Sequence, residues 1–199
     1  MVDLVRDPRW GRVMESTGED PYLNSRFAEA FVKGYQGDDL RTDFNRVAAC
    51  VKHFAAYGAA IGGRDYNTVN MSERQLRESY LPGYKAALDA GAKLVMTSFN
   101  TVDGIPATAN RWLFRDVLRE EFGFEGVVIS DWAAIKEVIA HGAAEDEKHA
   151  AELAIKAGVD IEMMTTCYTD NLKELIAEGT VEEALVCLLY TSDAADDSL

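Results

Sequence analysis

The chain has 199 residues, 48% hydrophobic and 27% charged, a composition that excludes wholesale disorder and collagen-like repeats. Twenty Lys and Arg against 34 Asp and Glu give a net charge of -14, which argues against nucleic acid or an anionic membrane face as partner and for a neutral substrate. No apolar run approaches the ~20 residues that span a bilayer. The opening MVDLVRDPRWGR lacks the basic-then-apolar pattern of a signal peptide, so a soluble, cytoplasmic location is expected.

Short apolar runs alternate with longer amphipathic stretches, the pattern of parallel strands joined by crossover helices. In chain order the predicted strands are residues 2–5, 47–54, 93–99, 126–132 and 159–164. Four of them end in polar groups: Arg6 and Asp7, Lys52 and His53, Ser98 and Asn100, and Ser130 and Asp131. Between the strands, Asp20 complements the start of one helix, and Ser72 to Gln75 has capping-box form before a helix that Pro82 should kink and Gly91 should end. Asn110 caps a helix ending at Gly123, and Thr169 and Thr180 are placed as caps of two later ones, the second with Glu183 in capping-box position. The Gly-rich stretch 58–71 is a long loop whose backbone either approaches a ligand or simply covers the surface.

Strands with polar C-terminal ends and helices between them predict a partial TIM-type (β/α) barrel, in which active sites are built from the loops after the strands. A doubly wound open sheet is the alternative. A complete barrel takes about 250 residues, so the chain has too few units and residues to close one.

Several residues could carry chemistry. Asp131, beside Trp132, follows the most strand-like run and suits a carboxylate nucleophile next to an aromatic sugar platform. The competing reading has Ser130 or Asp131 merely capping the next helix. Lys52 and His53 could hydrogen-bond sugar hydroxyls, or be a buried stem with a snorkelling head. Arg12 and Arg64 sit among Gly and aromatic residues where a guanidinium can stack or chelate, with Arg9 competing for the role. His141 and His149 read as surface residues, and Cys50, Cys167 and Cys187 as free thiols, Cys50 in the core. There is no metal-ligand spacing, P-loop, dinucleotide fingerprint or nucleophile elbow, so no cofactor or metal is expected.

RDPRWGRVMESTGEDPYL, VKHFAAYGAAIGGRDYNTVNMSERQLRESY, VMTSFNTVDGIPATANRWLFRDVL, GVVISDWAAI and AGVDIEMM together closely resemble glycoside hydrolase family 3, nearest to its bacterial β-glucosidase and β-xylosidase-like members. The resemblance runs from about Val2 to Val186 and breaks at CLLYTSDAADDSL, which implies an incomplete barrel domain over residues 1–186 and a non-native or disordered tail over residues 187–199. It implies that Asp131 is the nucleophile of a retaining exo-β-glycosidase and that Arg12, Lys52, His53, Met96 and Trp132 line the non-reducing-end sugar subsite. Phe99 stands where many members carry tyrosine, and AAYG replaces the PGHG loop of the β-N-acetylglucosaminidase branch. The resemblance also implies upstream barrel strands and a downstream domain bearing a glutamate acid/base, both outside this sequence and both partners of it. Neither Glu73 nor Glu162 receives that role, and Glu162 looks structural near a strand end. A β-linked glycoside is the implied substrate. The reading from another class is a non-catalytic carbohydrate-binding or scaffold module that uses the same pocket.

Overall fold

The computed structural model describes residues 1–186, so the reading of 187–199 as a foreign tail, and Cys187 with it, lies outside the described residues. Three parallel strands, β1 (Cys50–Phe54), β3 (Leu94–Thr97) and β6 (Val127–Ile129), form the main sheet in the order β1, β3, β6. Val51 pairs with Val95 and Val95 with Val128, which stacks three β-branched side chains across the buried face.

Two of the five predicted strands contribute less than a full ladder. Residues 2–5 lie along β1 through a bond from the Val2 N–H to the Lys52 carbonyl (2.9 Å) but form no strand, and the 159–164 segment meets β6 at one bridge, Ile129 with Ile161. Counting both, five segments sit side by side in chain order. Such sequential order, with a helical crossover between neighbours, is the arrangement of a (β/α) barrel and lacks the order reversal that defines a doubly wound sheet.

Helix starts follow side-chain caps where the sequence supplies them. Asp20 accepts from the Leu23 N–H (2.7 Å) at the head of α1 (Pro21–Gln36), and Ser72 accepts from the Gln75 N–H (3.2 Å) at α2 (Glu73–Gln75). The expected proline kink takes another form: the helix runs on from α2 through a five-residue π turn, Leu76–Tyr80, into α3 (Leu81–Asp89), and the wider winding directly before Pro82 accommodates its missing N–H. Asn110 caps the π-wound helix Trp112–Glu121 by accepting from the Leu113 N–H (3.2 Å), and Gly123 ends it at φ +68°.

Beyond β6 come α4 (Ala134–Ala140), α5 (Glu147–Ala157) and α6 (Cys167–Ala177). Thr169 lies inside α6 rather than at its cap. Glu162 does that work, accepting from the N–H groups of Cys167 (3.0 Å) and Tyr168 (2.7 Å), so its structural reading holds. Thr180 precedes the last described helical turn, residues 183–186, by three residues and does not cap it.

The 58–71 loop is more ordered than expected. It makes two 3-10 turns and a short strand β2 (Thr68–Val69), which pairs in parallel with β4 (Thr101–Val102), itself paired antiparallel with β5 (Ile105–Pro106). Its glycines allow a close approach to the chain itself: a Cβ at Gly58 would come within 2.5 Å of the Leu4 carbonyl oxygen, and one at Gly63 within 2.6 Å of the Trp10 nitrogen. The loop is thereby pinned onto residues 4–10, beside the C-terminal ends of the strands. No helix among the described residues is long and apolar enough to cross a membrane.

Candidate active site

Asp131 stands just past the end of β6. Its backbone N–H donates to the Thr97 hydroxyl at the end of β3 (3.2 Å), and its Oδ1 accepts from the Trp132 N–H (2.6 Å). Ser130 is fully buried, donating from Oγ to the Asp131 carbonyl (3.0 Å) and accepting from the Met163 N–H (2.8 Å). Neither side chain caps α4, whose N-cap is Ala133 in the left-handed region (φ +55°) with no side-chain cap. The bland reading of the Ser130-Asp131 pair as a helix cap is therefore not what the local geometry uses.

β1 delivers His53 to the same place, in a side chain 1% exposed. Its Nδ1 lies 2.9 Å from Asp3 Oδ2, and its Nε2 lies 3.2 Å from Arg12 Nη1 and 3.3 Å from Asp131 Oδ2. The last approach is proximity rather than bonding, since Asp131 Oδ2 is sealed from solvent with no hydrogen bond of good geometry. Arg12 chelates Glu15 through Nε and Nη2 (2.7 Å each) and lies over the Tyr57 ring, 5.7 Å from its centroid. The Glu15 carboxylate pushes the Arg12 guanidinium above its usual value, and Arg12 in turn holds Glu15 below the usual carboxylate range. Arg12 is thus a permanent cation beside His53 and Asp131.

Lys52 is half-buried, and its ammonium makes no hydrogen bond or ion pair among the described residues, which leaves it available to a ligand. Met96, half-buried on β3, pairs in register with Ile129 two residues before Asp131. Trp132 is 60% exposed, its indole face free for an apolar partner. Of the competing arginines, Arg9 is chelated by Asp7 at the surface and Arg64 is exposed.

The aromatic wall is built from Phe99, Tyr57 and Tyr66. Tyr66 meets Phe99 edge-on at 4.5 Å, and Tyr57 meets His53 edge-on at 5.0 Å. Ala56, Tyr66 and Ala133 all adopt the left-handed conformation next to this site, an expense that non-glycine residues bear mainly where geometry is imposed from outside the turn. Burial raises the Tyr66 phenol, with Asp65, Glu137 and Asp131 adding to it.

Sequence reasoning missed three residues. Asp3, fully buried in the apolar run Val2–Val5, accepts from His53 and from the Tyr84 hydroxyl (3.0 Å), which also reaches the His53 carbonyl. The available signal for Asp3 was a lone carboxylate inside an apolar segment. Tyr84, read only as an apolar helix position, carried no such signal. His141, read as surface, is half-buried, with Nε2 2.9 Å from the Phe99 carbonyl oxygen, where it braces the aromatic wall. Cys50, read as core, is half-buried instead and lines a cleft beside Met1 and Lys52.

Residues 1–188 match the glycosyl hydrolase family 3 N terminal domain. The chain belongs to this family. It is 51% identical over 184 residues to the periplasmic β-glucosidase of Salmonella typhimurium, covering 92% of this chain and 24% of that protein, and 42% identical over 183 residues to a β-xylosidase of Formosa agariphila, covering 87% and 25%. A mutant β-glucosidase from Listeria innocua, in complex with laminaribiose, superposes with a TM-score of 0.95 at 61% identity, covering 99% of this chain and 28% of that one. The family 3 chain described here therefore spans about a quarter of the length of these relatives, and its fold is that of part of a family 3 (β/α) barrel.

Proposed function

We propose that the protein to which this family 3 segment belongs is a retaining exo-β-glycosidase, a β-glucosidase in the first instance, acting on non-reducing-end β-linked sugars. The observation that carries the reading is the placement of Asp131: a strand-end residue whose backbone N–H is bonded to Thr97 and whose carboxylate accepts from the Trp132 N–H, flanked by a histidine, a permanent guanidinium and an exposed indole. Relatives whose names are β-glucosidase and β-xylosidase support the same class of substrate.

In this reading Asp131 attacks the anomeric carbon and the leaving oxygen takes a proton from a general acid, giving a glycosyl-enzyme that water then opens. Trp132 offers its face to the sugar ring, while Arg12, Lys52 and His53 bind its hydroxyls and Met96 borders the subsite. The general acid is supplied by another part of the longer chain. Glu73 is committed to Arg77 (2.7 Å) and Glu162 to the start of α6, so neither is free to act as that acid. The upstream part of the longer chain also covers the open edge of the 2–5 segment, which itself lies along β1, in this reading.

Two measurements test it. In the full-length enzyme, Asp131→Asn lowers kcat on an aryl β-glucoside by roughly 10⁴–10⁶-fold, the scale on which single catalytic groups act, and abolishes labelling by a 2-fluoro glycoside. The 199-residue chain alone shows little or no turnover, because a missing general acid costs about 10²–10⁴-fold. Sugar binding by the full-length enzyme with no covalent labelling would point instead to a non-catalytic carbohydrate-binding module.

A further inference from the structure

We propose that Asp3 is a positioning residue that fixes the tautomer of His53, holding its proton on Nδ1 so that Nε2 remains an acceptor facing Arg12 and Asp131. The inference deepens the sugar-site reading and rests on it for its functional meaning, although the tautomer can be measured without any sugar.

The assignment follows from partners that cannot exchange roles. An ionised carboxylate only accepts and a guanidinium only donates. Asp3, 0% exposed at its side chain, faces three donors: the His53 backbone N–H (3.2 and 3.3 Å to its two oxygens), His53 Nδ1 (2.9 Å) and the Tyr84 hydroxyl (3.0 Å). Acting as acceptor toward all three, it requires the proton on Nδ1. On the other edge of the ring, Arg12 Nη1 at 3.2 Å can only donate, so Nε2 must present its lone pair.

The same assignment accounts for the unbonded oxygen of Asp131. With a lone pair on Nε2, the 3.3 Å approach to Asp131 Oδ2 brings two acceptors together, and that oxygen is indeed buried without a hydrogen bond. A proton on Nε2 would instead bind Asp131 Oδ2 and turn Arg12 away. Asp3 thus does two things from behind the ring: it keeps Oδ2 of the proposed nucleophile uncommitted, and it keeps Arg12 docked in the pocket. A second-layer carboxylate that orients an imidazole in this way is a general device for selecting one tautomer.

The test uses the full-length enzyme with ¹⁵N-labelled imidazoles, the His53 signals being assigned as those lost in His53→Gln. At neutral pH and without sugar, Nδ1 of His53 is expected at the shift of a protonated ring nitrogen and Nε2 at that of an unprotonated one. In Asp3→Ala no acceptor faces Nδ1, so the proton moves to Nε2, where Asp131 Oδ2 can accept it, and the two shifts exchange. In Tyr84→Phe, which removes a different donor from the same carboxylate, they stay as in the unmodified chain. A proton on Nε2 in the unmodified enzyme overturns the proposal whether or not the Asp3→Ala protein folds, and so does an unchanged pattern in folded Asp3→Ala. If the shifts are as expected but titration of the full-length enzyme with glucose leaves the His53 signals unmoved, the role of Asp3 stands and the sugar-site reading falls.

Discussion

The two sides of β1 bury very different things. Around its C-terminal end, Asp3, His53, Ser98, Asn100 and Ser130 are all buried, and most of their polar atoms find partners in the chain itself. Along its outer edge, a cleft of about 510 Å³ is lined by Ala49, Val51, Phe31, Tyr35 and Val47, with Phe27 and Phe31 stacked at 6.0 Å and both over 40% exposed. One side spends burial on polar groups that need fixed geometry, and the other leaves apolar surface open to water. Burying polar groups costs free energy unless each is bonded, so such a network is kept only where their positions matter. Apolar surface left in water opposes stability, the more so where it is contiguous, as along α1.

The contrast can be broken by substitution, most strongly at the polar end. Asp3→Ala leaves the His53 backbone N–H and Nδ1–H without their acceptor, while the Tyr84 hydroxyl keeps the His53 carbonyl, and is expected to cost about 2–6 kcal/mol, at ~1–3 kcal/mol per unsatisfied group; urea denaturation measures it. Tyr84→Phe removes one donor from the same cluster and should cost about 1–3 kcal/mol in the same assay. Phe31→Ser, on the open side, should change stability by no more than about 0.5 kcal/mol while reducing self-association in sedimentation at high concentration. A loss as large as that of Tyr84→Phe would mean that the outer face is packed more tightly than its exposure indicates.

The smallest expected effect concerns Glu137, on α4 behind the site. Burial raises its carboxyl above the usual value of 4.5, with the neighbouring Asp131 adding to the shift. A raised carboxyl favours the protonated form in the fold, so its contribution to stability is full below pH 4.5 and is lost as the pH climbs through the folded value. Glu137→Gln should flatten that part of the pH–stability curve, seen as a smaller drop in Tm between pH 4.5 and 7. A curve unchanged from that of the unmodified chain would show that Glu137 is effectively solvated.

Much of this was legible in the sequence for reasons that act locally. Asp20, Ser72 and Asn110 cap the helices assigned to them because a short polar side chain reaches only two or three residues ahead. The polar residues after each apolar run marked the functional end of the sheet, and Asp131, His53 and Arg12 do converge there. Thr169 failed as a cap because Glu162, five residues before Cys167, was the stronger acceptor for the orphan N–H groups of α6. The glycines of the 58–71 loop were legible as close-approach positions, but what they approach, residues 4–10, was not.

By itself, then, the sequence determined the alternation of strands and helices, the polar strand ends and the family motifs, since each depends on residues near one another along the chain. Only the tertiary structure decided that Asp3 backs His53 across 50 residues, that Tyr84 closes the same cluster across 81, and that His141 braces Phe99 across 42. Hydrogen bonds between side chains so far apart in sequence leave no periodic trace. They exist because parallel strands laid side by side bring their C-terminal ends to one place, and buried donors and acceptors meeting there must satisfy one another.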